Sequence, residues 1–390
     1  MNRQTGFSLI ELMVALVLGL ILTAGVISVY ITSKNTYNVN NALGAVQEHG
    51  RFAFGFMDPK LRMAGYMGCY YVPKGASNNL TGGLATDPVF AFNGPVYGFE
   101  YTGTGVGGSF TPSTSDLTTP PQNASLWSPA LNVGGSTTLY NAIKSTALKG
   151  SDIFIAEEMQ NNPPALVGVY DDNTNLYVNT SDHGVNDTSY FANGTYAIVS
   201  NCGGFGGSSP QINIFKVTGV NAGSGTIAYN ALSSHYATTG ANGNVGTYQA
   251  YAYYIGKGVD GGPALFQASL STAGALATQE LVSGIENMQV VYGIATATGS
   301  TAGANAVPYD FQTADTVTDW SLVVSVRIAL VARSDDNSTD QVRTAAPVYY
   351  MLASDPVANA NSDGMTLTLS KDRRLRRYFV QTFTVRNGLP

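Results

Sequence analysis

The residue of greatest chemical interest is Glu11, a carboxylate inside an apolar segment. It is the one charged side chain from Phe7 to Ile31. As a helix this segment would extend about 37 Å, enough to cross a hydrocarbon core of about 30 Å. A carboxylate at the bilayer centre costs about 2.5–3.5 kcal/mol, and less near the interface. Such an acid is tolerated when it gains a positive partner, so Glu11 is a candidate functional residue.

Side chains that commonly catalyse reactions do not form a recognisable active site. His49, His183 and His235 lie far apart, and no base–nucleophile motif stands beside any of them. The sequence contains no nucleophile elbow, P-loop or zinc-protease motif. Glu157 and Glu158 are adjacent, so in a strand they would point to opposite faces. We therefore predict no catalytic residues, no cofactor, no small-molecule substrate and no enzymatic function.

Acidic residues also fail to complete a metal site. The stretch from Asp171 to Asp182 has the length of an EF-hand loop, but Leu176 stands where that loop requires glycine. Its twelfth position is aspartate, where a bidentate glutamate is usual. Turn formation accounts for the same polar residues, so no metal site is predicted.

One basic cluster, Arg373-Arg374-Leu375-Arg376-Arg377, stands near the C-terminus. It would suit contact with a negative surface, whether protein, lipid or DNA, or it is a solvated strand entry that orients the last strand. The chain has 19 Lys and Arg against 25 Asp and Glu, a formal charge of −6. An acidic chain with one such cluster is a poor binder of nucleic acid. The strand-entry interpretation is favoured, and no specific nucleic acid partner is predicted.

The element that must position Glu11 is a long N-terminal helix. After Ile31 the apolar residues continue at three- and four-residue spacing as far as Met57, now with charged residues between them. A helix with this gradient is apolar all round in its first half and packs one face on a globular domain in its second. Asp58-Pro59 predicts a kink or a restart, with Asp58 as the N-cap of a short segment, Lys60–Ala64.

The remainder of the chain reads as β structure. Charged residues make up 11% of the sequence against about 25% in typical domains, and glycine is abundant, as in loop-rich β proteins outside the cytoplasm. Residues 76–150, dominated by small and polar residues, are expected to be a loop-rich surface insertion. The fold class is therefore α+β, with one long helix on a β-rich domain. The main predicted strands are Asp152–Glu157, Leu166–Tyr170, Asn175–Asn179, Tyr196–Ser200, Ile212–Val217, Thr226–Tyr229, Tyr248–Ile255, Ala264–Ser269, Met288–Ile294, Ser321–Arg333, Val348–Leu352 and Tyr378–Val385.

Three interpretations of the apolar N-terminus remain open from its composition. Arg3, the apolar run and the small residues at 23–25 suit a cleaved secretory signal, although the run contains an acid and continues past the small residues. The second is a plain membrane anchor, which would not require the acidic residue Glu11. The third is a type III signal, in which a short polar leader is removed and the apolar helix remains on the mature protein.

The order Met1-Asn-Arg-Gln-Thr-Gly6 followed by Phe7-Ser-Leu-Ile-Glu11-Leu resembles the type IV prepilin signature. The resemblance implies that prepilin peptidase cuts between Gly6 and Phe7 and methylates the new amine of Phe7. It also implies that Glu11 meets the charged N-terminus of a neighbouring subunit in a fibre.

Three later stretches are similar to PilW-type minor pilins: Leu61–Cys69, Glu280–Gly293, and Asp372–Arg377 with Arg386-Asn387. The resemblance implies a pilin-like fold and a minor pilin that primes type IV pilus assembly in a low-copy complex at the tip. Its expected partners are other minor pilins, the major pilin, prepilin peptidase and the inner membrane. There it would be a single-pass protein with a periplasmic C-terminal domain, before it joins the pilus at the cell surface.

This resemblance divides the chain into a leader, 1–6, a transmembrane and pilin-core helix, 7–31, its amphipathic continuation, 32–67, and a β-rich domain, 68–390. Two other functions remain open. One is the minor pseudopilin of a type II secretion system, since Glu280–Gly293 also resembles the J-type pseudopilin. The other is a membrane-anchored adhesin that binds through residues 76–150.

The two cysteines, Cys69 and Cys202, are too few for a disulfide scaffold or a four-ligand zinc site. In an oxidising periplasm we expect them to form one bridge. Such a bridge would close a long loop and stabilise the fold by about 4–5 kcal/mol. Two free buried thiols are the alternative.

Overall fold

In a computed structural model of the chain, the N-terminal segment forms one 55-residue helix, α1, from Leu9 to Met63. At 1.5 Å per residue it is about 82 Å long. The structure describes residues 8–388 except 69–76, 81–83, 91–93, 114–115, 117–118, 121–122, 133–136, 161–162, 164, 172–173, 179–189, 202–211, 233–242, 272–273, 296–309, 335–344 and 353–363.

The two halves of α1 have different surroundings. Every large apolar side chain from Leu9 to Ile31 is at least half exposed. An 18-residue window in α1 has a mean hydropathy of 2.7 and no buried residue, so by length and composition the helix could cross a membrane. The second half buries one face at helical spacing, as predicted. Its buried residues are Ala42, Val46, Gly50, Ala53, Phe54, Met57 and Leu61.

Of the kink or restart predicted at Asp58-Pro59, the restart is wrong, because the chain stays helical through Pro59. The kink stays a prediction. A proline inside a helix removes one backbone hydrogen bond. Here Met57 and Leu61, on either side of it, are both fully buried in the core. Packing therefore holds the last turns in place despite the missing bond, and the helix ends at Met63, before the predicted limits at 64 and 67.

Strands form most of the rest of the described chain, together with a short helix, α2, Thr138–Ile143, and four 3-10 turns, Leu84–Thr86, Ala124–Leu126, Trp320–Leu322 and Arg386–Gly388. In chain order, β1 to β19 are Ser77–Asn78, Val96–Tyr101, Ser109–Phe110, Trp127–Ser128, Ile153–Met159, Leu166–Asp171, Asn175–Val178, Tyr196–Asn201, Ile212–Asn221, Thr226–Tyr229, Gly243–Lys257, Pro263–Leu270, Leu276–Ser283, Ile285–Ile294, Asp310–Gln312, Val323–Arg333, Val348–Met351, Met365–Thr368 and Arg376–Thr384. Each of the main predicted strands is present, with bounds shifted by a few residues.

Three sheets organise these strands. The largest has the order β4-β2-β5-β11-β8-β9-β10-β7-β6, with β1 paired to β9, β12 to β11, and β13 to β12. The second has the order β15-β14-β16-β19, and the third β17-β18-β3. Strand β11 is the longest, and it pairs with β8 through its first residues and with β5 and β12 through its later ones. The α+β fold class predicted from the sequence is therefore confirmed.

The described part of residues 76–150 belongs to the body of the domain. Strand β2 pairs with β5 inside the largest sheet. Phe90, Phe99 and Ile143 are fully buried in a core shared with that sheet. A surface insertion would leave such side chains exposed, so the sparse charges of this stretch reflect burial as well as loops.

The four-stranded sheet supports the second half of α1. Val326, Ile328 and Leu330 on β16 pack in one core with Val46 and Phe54 of the helix. The opposite face of β16 packs on the third sheet. Strand β16 is therefore buried on both faces, and the helix rests on the central part of this domain.

Helix and sheet approach most closely at Gly50. A Cβ built on this residue would lie 2.7 Å from the ring of Phe379 on β19. Two other helix glycines, Gly44 and Gly55, have open space at the same position. The three residues therefore separate the effect of helix propensity from the effect of contact.

We predict that Gly44→Ala and Gly55→Ala each stabilise the chain by about 0.5–1 kcal/mol, because alanine favours a helix interior. Their melting temperatures should rise by about 1–3 °C. Gly50→Ala should instead lower it, because the new methyl group displaces Phe379. Circular dichroism melts of the full chain in detergent measure all three. Equal gains at the three positions would contradict this account of the contact.

Candidate functional site

Of the predicted signal residues, Glu11 lies in the first turn of α1. Gly6 and Phe7 are outside the described residues. Glu11 is exposed, and its Oε2 accepts a hydrogen bond of 3.0 Å from the Ser8 backbone N–H. This bond satisfies one of the N–H groups that a helix start leaves unpaired. In the isolated chain, therefore, Glu11 caps its own helix.

The C-terminal end of α1 is held by Asn387. Its side-chain Nδ2 lies 3.3–3.4 Å from the carbonyl oxygens of Arg62, Met63 and Ala64. The last carbonyls of a helix have no partner within the helix, and a side-chain donor satisfies them. A residue near the C-terminus thus holds the C-terminal end of the N-terminal helix. Asn387 lies in one of the stretches that resemble PilW, but the sequence alone did not indicate that it contacts the end of α1.

A glycine turn lets the middle of α1 approach the sheet. Gly284 joins β13 to β14 with φ +72°, a conformation that side chains rarely adopt. A Cβ there would lie 2.7 Å from Nδ1 of His49 and 2.8 Å from the Arg333 carbonyl oxygen. His49 Nδ1 itself lies 3.4 Å from that oxygen. His49 is thus a helix-docking residue; His183 and His235 lie outside the described residues.

Beside this turn, a buried network of charges joins three strands. Arg333 and Arg376 stand directly opposite each other on β16 and β19, an arrangement that is repulsive without counter-charge. Glu286, at an irregularity in β14, accepts hydrogen bonds from Nε and Nη2 of Arg376 and lies 3.6 Å from Arg333 Nη1. Asp372 accepts two bonds of 2.6 Å from Arg376. The two carboxylates therefore neutralise the arginine pair.

Burial and pairing act against each other on the pKa values of this network. Burial lowers the pKa of Arg376, but its hydrogen bonds to Asp372 and Glu286 outweigh this and raise the pKa. Burial opposes ionisation of Asp372, yet the bonds from Arg376 and from the Arg374 N–H lower its pKa. For Arg333 burial prevails, and its pKa is lowered. Pairing therefore favours the charged forms of both Asp372 and Arg376.

The arginines of the basic cluster differ in their exposure to solvent. Arg376 has a side chain 1% exposed, and Arg374 donates a 2.8 Å hydrogen bond to the Ser334 carbonyl. Arg377 is exposed. The cluster does orient the last strand, but the expectation that it is solvated is wrong for Arg376, because its carboxylate partner is 90 residues away in sequence.

Two other predictions can be compared with the described residues. Glu157 is buried near Tyr248, whereas Glu158 is 2.9 Å from Lys60 Nζ, so these adjacent acids do not pair. No group of three His, Cys, Asp or Glu that could hold a metal occurs within the described ranges. Much of the stretch from Asp171 to Asp182 lies outside them.

Cys69 and Cys202 lie outside the described residues, but their neighbours meet. The Ser200 hydroxyl donates a 2.7 Å hydrogen bond to the Met67 carbonyl. A Cβ on Gly68 would lie 3.1 Å from the same hydroxyl oxygen. The chain segments that lead to the two cysteines are therefore adjacent, and the predicted bridge stays a prediction.

Two parts of the chain match known family models. Residues 1–27 match the prokaryotic N-terminal methylation motif. Residues 252–387 match the family model of type IV pilus-assembly protein W, PilW. The chain carries a PilW domain behind a type IV prepilin signal. Glu286, Arg376 and Asn387 all lie in this PilW domain, and each belongs to a stretch that resembled the family from sequence.

Other comparisons add little. The solved type IV-like pilin TTHA1219 from Thermus thermophilus is similar at 16% identity, over 50% of this chain and 86% of that chain, with a TM-score of 0.21. At this TM-score the two folds do not superimpose closely. No match was found among curated proteins.

We predict that Arg376→Met destabilises the chain toward the lower end of about 3–5 kcal/mol, because it leaves buried Glu286 with Arg333 alone. The matched control is Arg377→Met, next in sequence but exposed, which should change stability by at most about 0.5 kcal/mol. Chemical unfolding of the full chain in detergent gives both values. Similar losses in the two variants would contradict the proposed role of the network.

The same network has a pH signature. The folded-state pKa of Asp372 is lowered, so its stabilisation is complete above its ordinary value of 3.8 and is lost as the pH falls through the lowered value. The stability difference between the wild type and Arg376→Met should therefore narrow in acid.

Proposed function

We propose that this protein is a minor pilin that primes type IV pilus assembly and occupies a low-copy complex at the pilus tip. The observation that carries the proposal is an uncovered apolar half-helix whose other half is docked on a PilW domain. A contiguous apolar surface of this size marks an interaction with membrane or protein. In the inner membrane lipid would cover it, and in a fibre other pilin helices would.

The docking contacts support transfer between these two environments. Pulling a subunit from a bilayer into a fibre loads the joint between helix and domain. Asn387 holds the helix end, while Gly50 and Gly284 allow close packing along the preceding turns. We infer that the domain faces the periplasm while the helix is in the membrane, and that it reaches the cell surface with the pilus.

Size supports the position at the tip. About 330 residues follow Met63, all beyond the helix. A shaft subunit must fit a repeating lattice on every side, whereas a terminal subunit has an unconstrained face. The proposed neighbours are other minor pilins and, below them, the major pilin.

We predict that the mature chain begins at an N-methylated Phe7, after prepilin peptidase has cut the Gly6–Phe7 bond. Mass spectrometry of the N-terminal peptide from membranes, with and without the host peptidase, measures this. A start at Met1 in both strains, or near residue 25, would remove the pilin assignment. The same peptide map run without reduction detects a bridge between Cys69 and Cys202.

A second prediction concerns Glu11, which we propose pairs with the amine of Phe7 in an adjacent subunit. Glu11→Ala should be cleaved normally but should lower pilus number at least tenfold in a deletion background. Glu48→Ala, at an exposed acid in the docked half of α1, is the matched control and should restore pili fully. Counting pili by electron microscopy decides, and full piliation by Glu11→Ala would refute the pairing.

Deleting the gene separates the two candidate machines. We expect loss of pili and twitching with type II secretion intact, and labelled protein at fibre ends at a few copies per fibre. Loss of secretion with normal pili would favour the pseudopilin, and label along the whole shaft would exclude a tip subunit. Normal pili and secretion with loss of surface binding would favour the anchored adhesin.

A further inference from the structure

A cleft of about 490 Å³ with a polar floor opens beside the end of α1, on the largest sheet. This volume is within the roughly 300–1,000 Å³ of ligand sites. Its principal lining residues are Lys60, Glu158, Gln160, Tyr196, Gln249 and Tyr251. None of them belongs to the contacts that dock α1 through Gly50, Gly284 and Asn387.

The floor of the cleft is a continuous chain of hydrogen bonds across two strands. The Tyr251 hydroxyl donates to Gln249 Oε1 at 3.3 Å, and Gln249 Nε2 donates to the Thr247 hydroxyl at 3.1 Å. That hydroxyl donates in turn to Gln160 Oε1 at 2.8 Å. Alternate residues of a strand share a face, so these side chains form one polar row. The row is already oriented by its own bonds before any ligand arrives.

Two polar atoms of the lining, one in this row and one beside it, have no hydrogen-bond partner within the described part of the chain. They are the donor Gln160 Nε2 and the acceptor Glu158 Oε2, both buried. A buried polar atom left unpaired is unfavourable, because it has lost its hydrogen bonds to water. Glu158 lies on β5, and Gln160 follows the last residue of that strand, two positions further on and on the same side. Glu158 supplies the free acceptor and Gln160 the free donor. A hydroxyl is both donor and acceptor, so a ligand with successive hydroxyl groups matches this pair.

The charge in the cleft is balanced. Lys60 Nζ lies 2.9 Å from Glu158 Oε1 and 3.9 Å from the centre of the Tyr251 ring. The ion pair and the cation–π contact use the lysine charge within the protein. A free anion or cation would have to compete with one of these partners, whereas a neutral ligand would not.

Aromatic rings supply the apolar part of the lining. Tyr196 and Tyr251 border the cleft, and Tyr190 stands at its edge with 45% exposure. Ring faces of tyrosine accept C–H groups, while the surrounding amides and hydroxyls accept and donate hydrogen bonds. Alternating C–H faces and hydroxyl edges are the chemistry of a sugar ring.

We propose that this cleft binds a neutral saccharide through Glu158, Gln160 and Tyr251. Most of the lining precedes residue 252, so the site lies mainly outside the region that matches the PilW model. The inference is independent of the role in assembly. It gives a subunit at the cell surface a means of attachment to glycans.

The test uses the full chain in a zwitterionic detergent without a sugar head group. Saturation-transfer NMR and calorimetry would probe maltopentaose, cellopentaose, chitopentaose, mannopentaose and, as an anionic comparison, a galacturonic acid pentamer. We expect at least one neutral oligosaccharide to bind and the anionic one to bind more weakly. No binding by any neutral pentamer, or tightest binding by the anionic one, would overturn the proposal.

Variants then locate the site. Gln160→Ala and Tyr251→Ala should each weaken binding at least tenfold, while Gln312→Ala, on β15 of the second sheet, should not change it. Tyr251→Phe keeps the ring and removes the bond to Gln249, so it should weaken binding by less than Tyr251→Ala. Melting temperatures show that each variant is folded. Binding that is unchanged in both folded cleft variants would refute this location.

Discussion

The structure depends on one constraint, the uncovered apolar surface of the first half of α1. From Leu9 to Ile31 the helix has no protein contacts to stabilise it within the described chain, and its apolar side chains gain nothing from water. Lipid or other helices must supply that burial. The rest of the protein then has to hold the helix at its other half, firmly enough that the subunit moves as one body. This explains why the docking contacts are close and specific instead of a general apolar contact.

The charged network beside the joint serves this purpose by specifying register. A buried ion pair adds little net stability compared with apolar residues of similar volume, because both charges lose their hydration. It does, however, penalise wrong pairings strongly. A shift of β19 along β16 would separate Arg376 from Glu286 on β14 and leave a buried carboxylate without this partner. It would also move Phe379 away from Gly50, so the network keeps the strand and the helix in correct alignment.

Local patterns predicted what is local. The alternation in β16 and the three- and four-residue spacing in α1 were visible because burial repeats with the period of the element. The helix does not restart at Pro59, as one interpretation of the sequence expected, because Met57 and Leu61 hold it and their partners lie on distant strands. Arg376 was expected to be solvated for the same reason, since a single sequence does not show that Glu286 lies across β16. Residues 76–150 seemed peripheral from composition, yet Phe90 and Phe99 are buried by strands that follow much later.

Two regions of the chain thus have different kinds of contact: one docks the helix, and the other forms a cleft. The part that matches PilW supplies the sheet under α1, the glycine turn and the C-terminal cap, all of which act on the helix. Most of the largest sheet lies before residue 252. Its cleft presents hydroxyls, amides and a balanced ion pair, which differ from the groups that dock the helix. Lys60 connects the two regions, because it belongs to α1 and pairs with Glu158 in the cleft. A neutral ligand that leaves this ion pair intact would therefore leave the docking contacts of the helix in place.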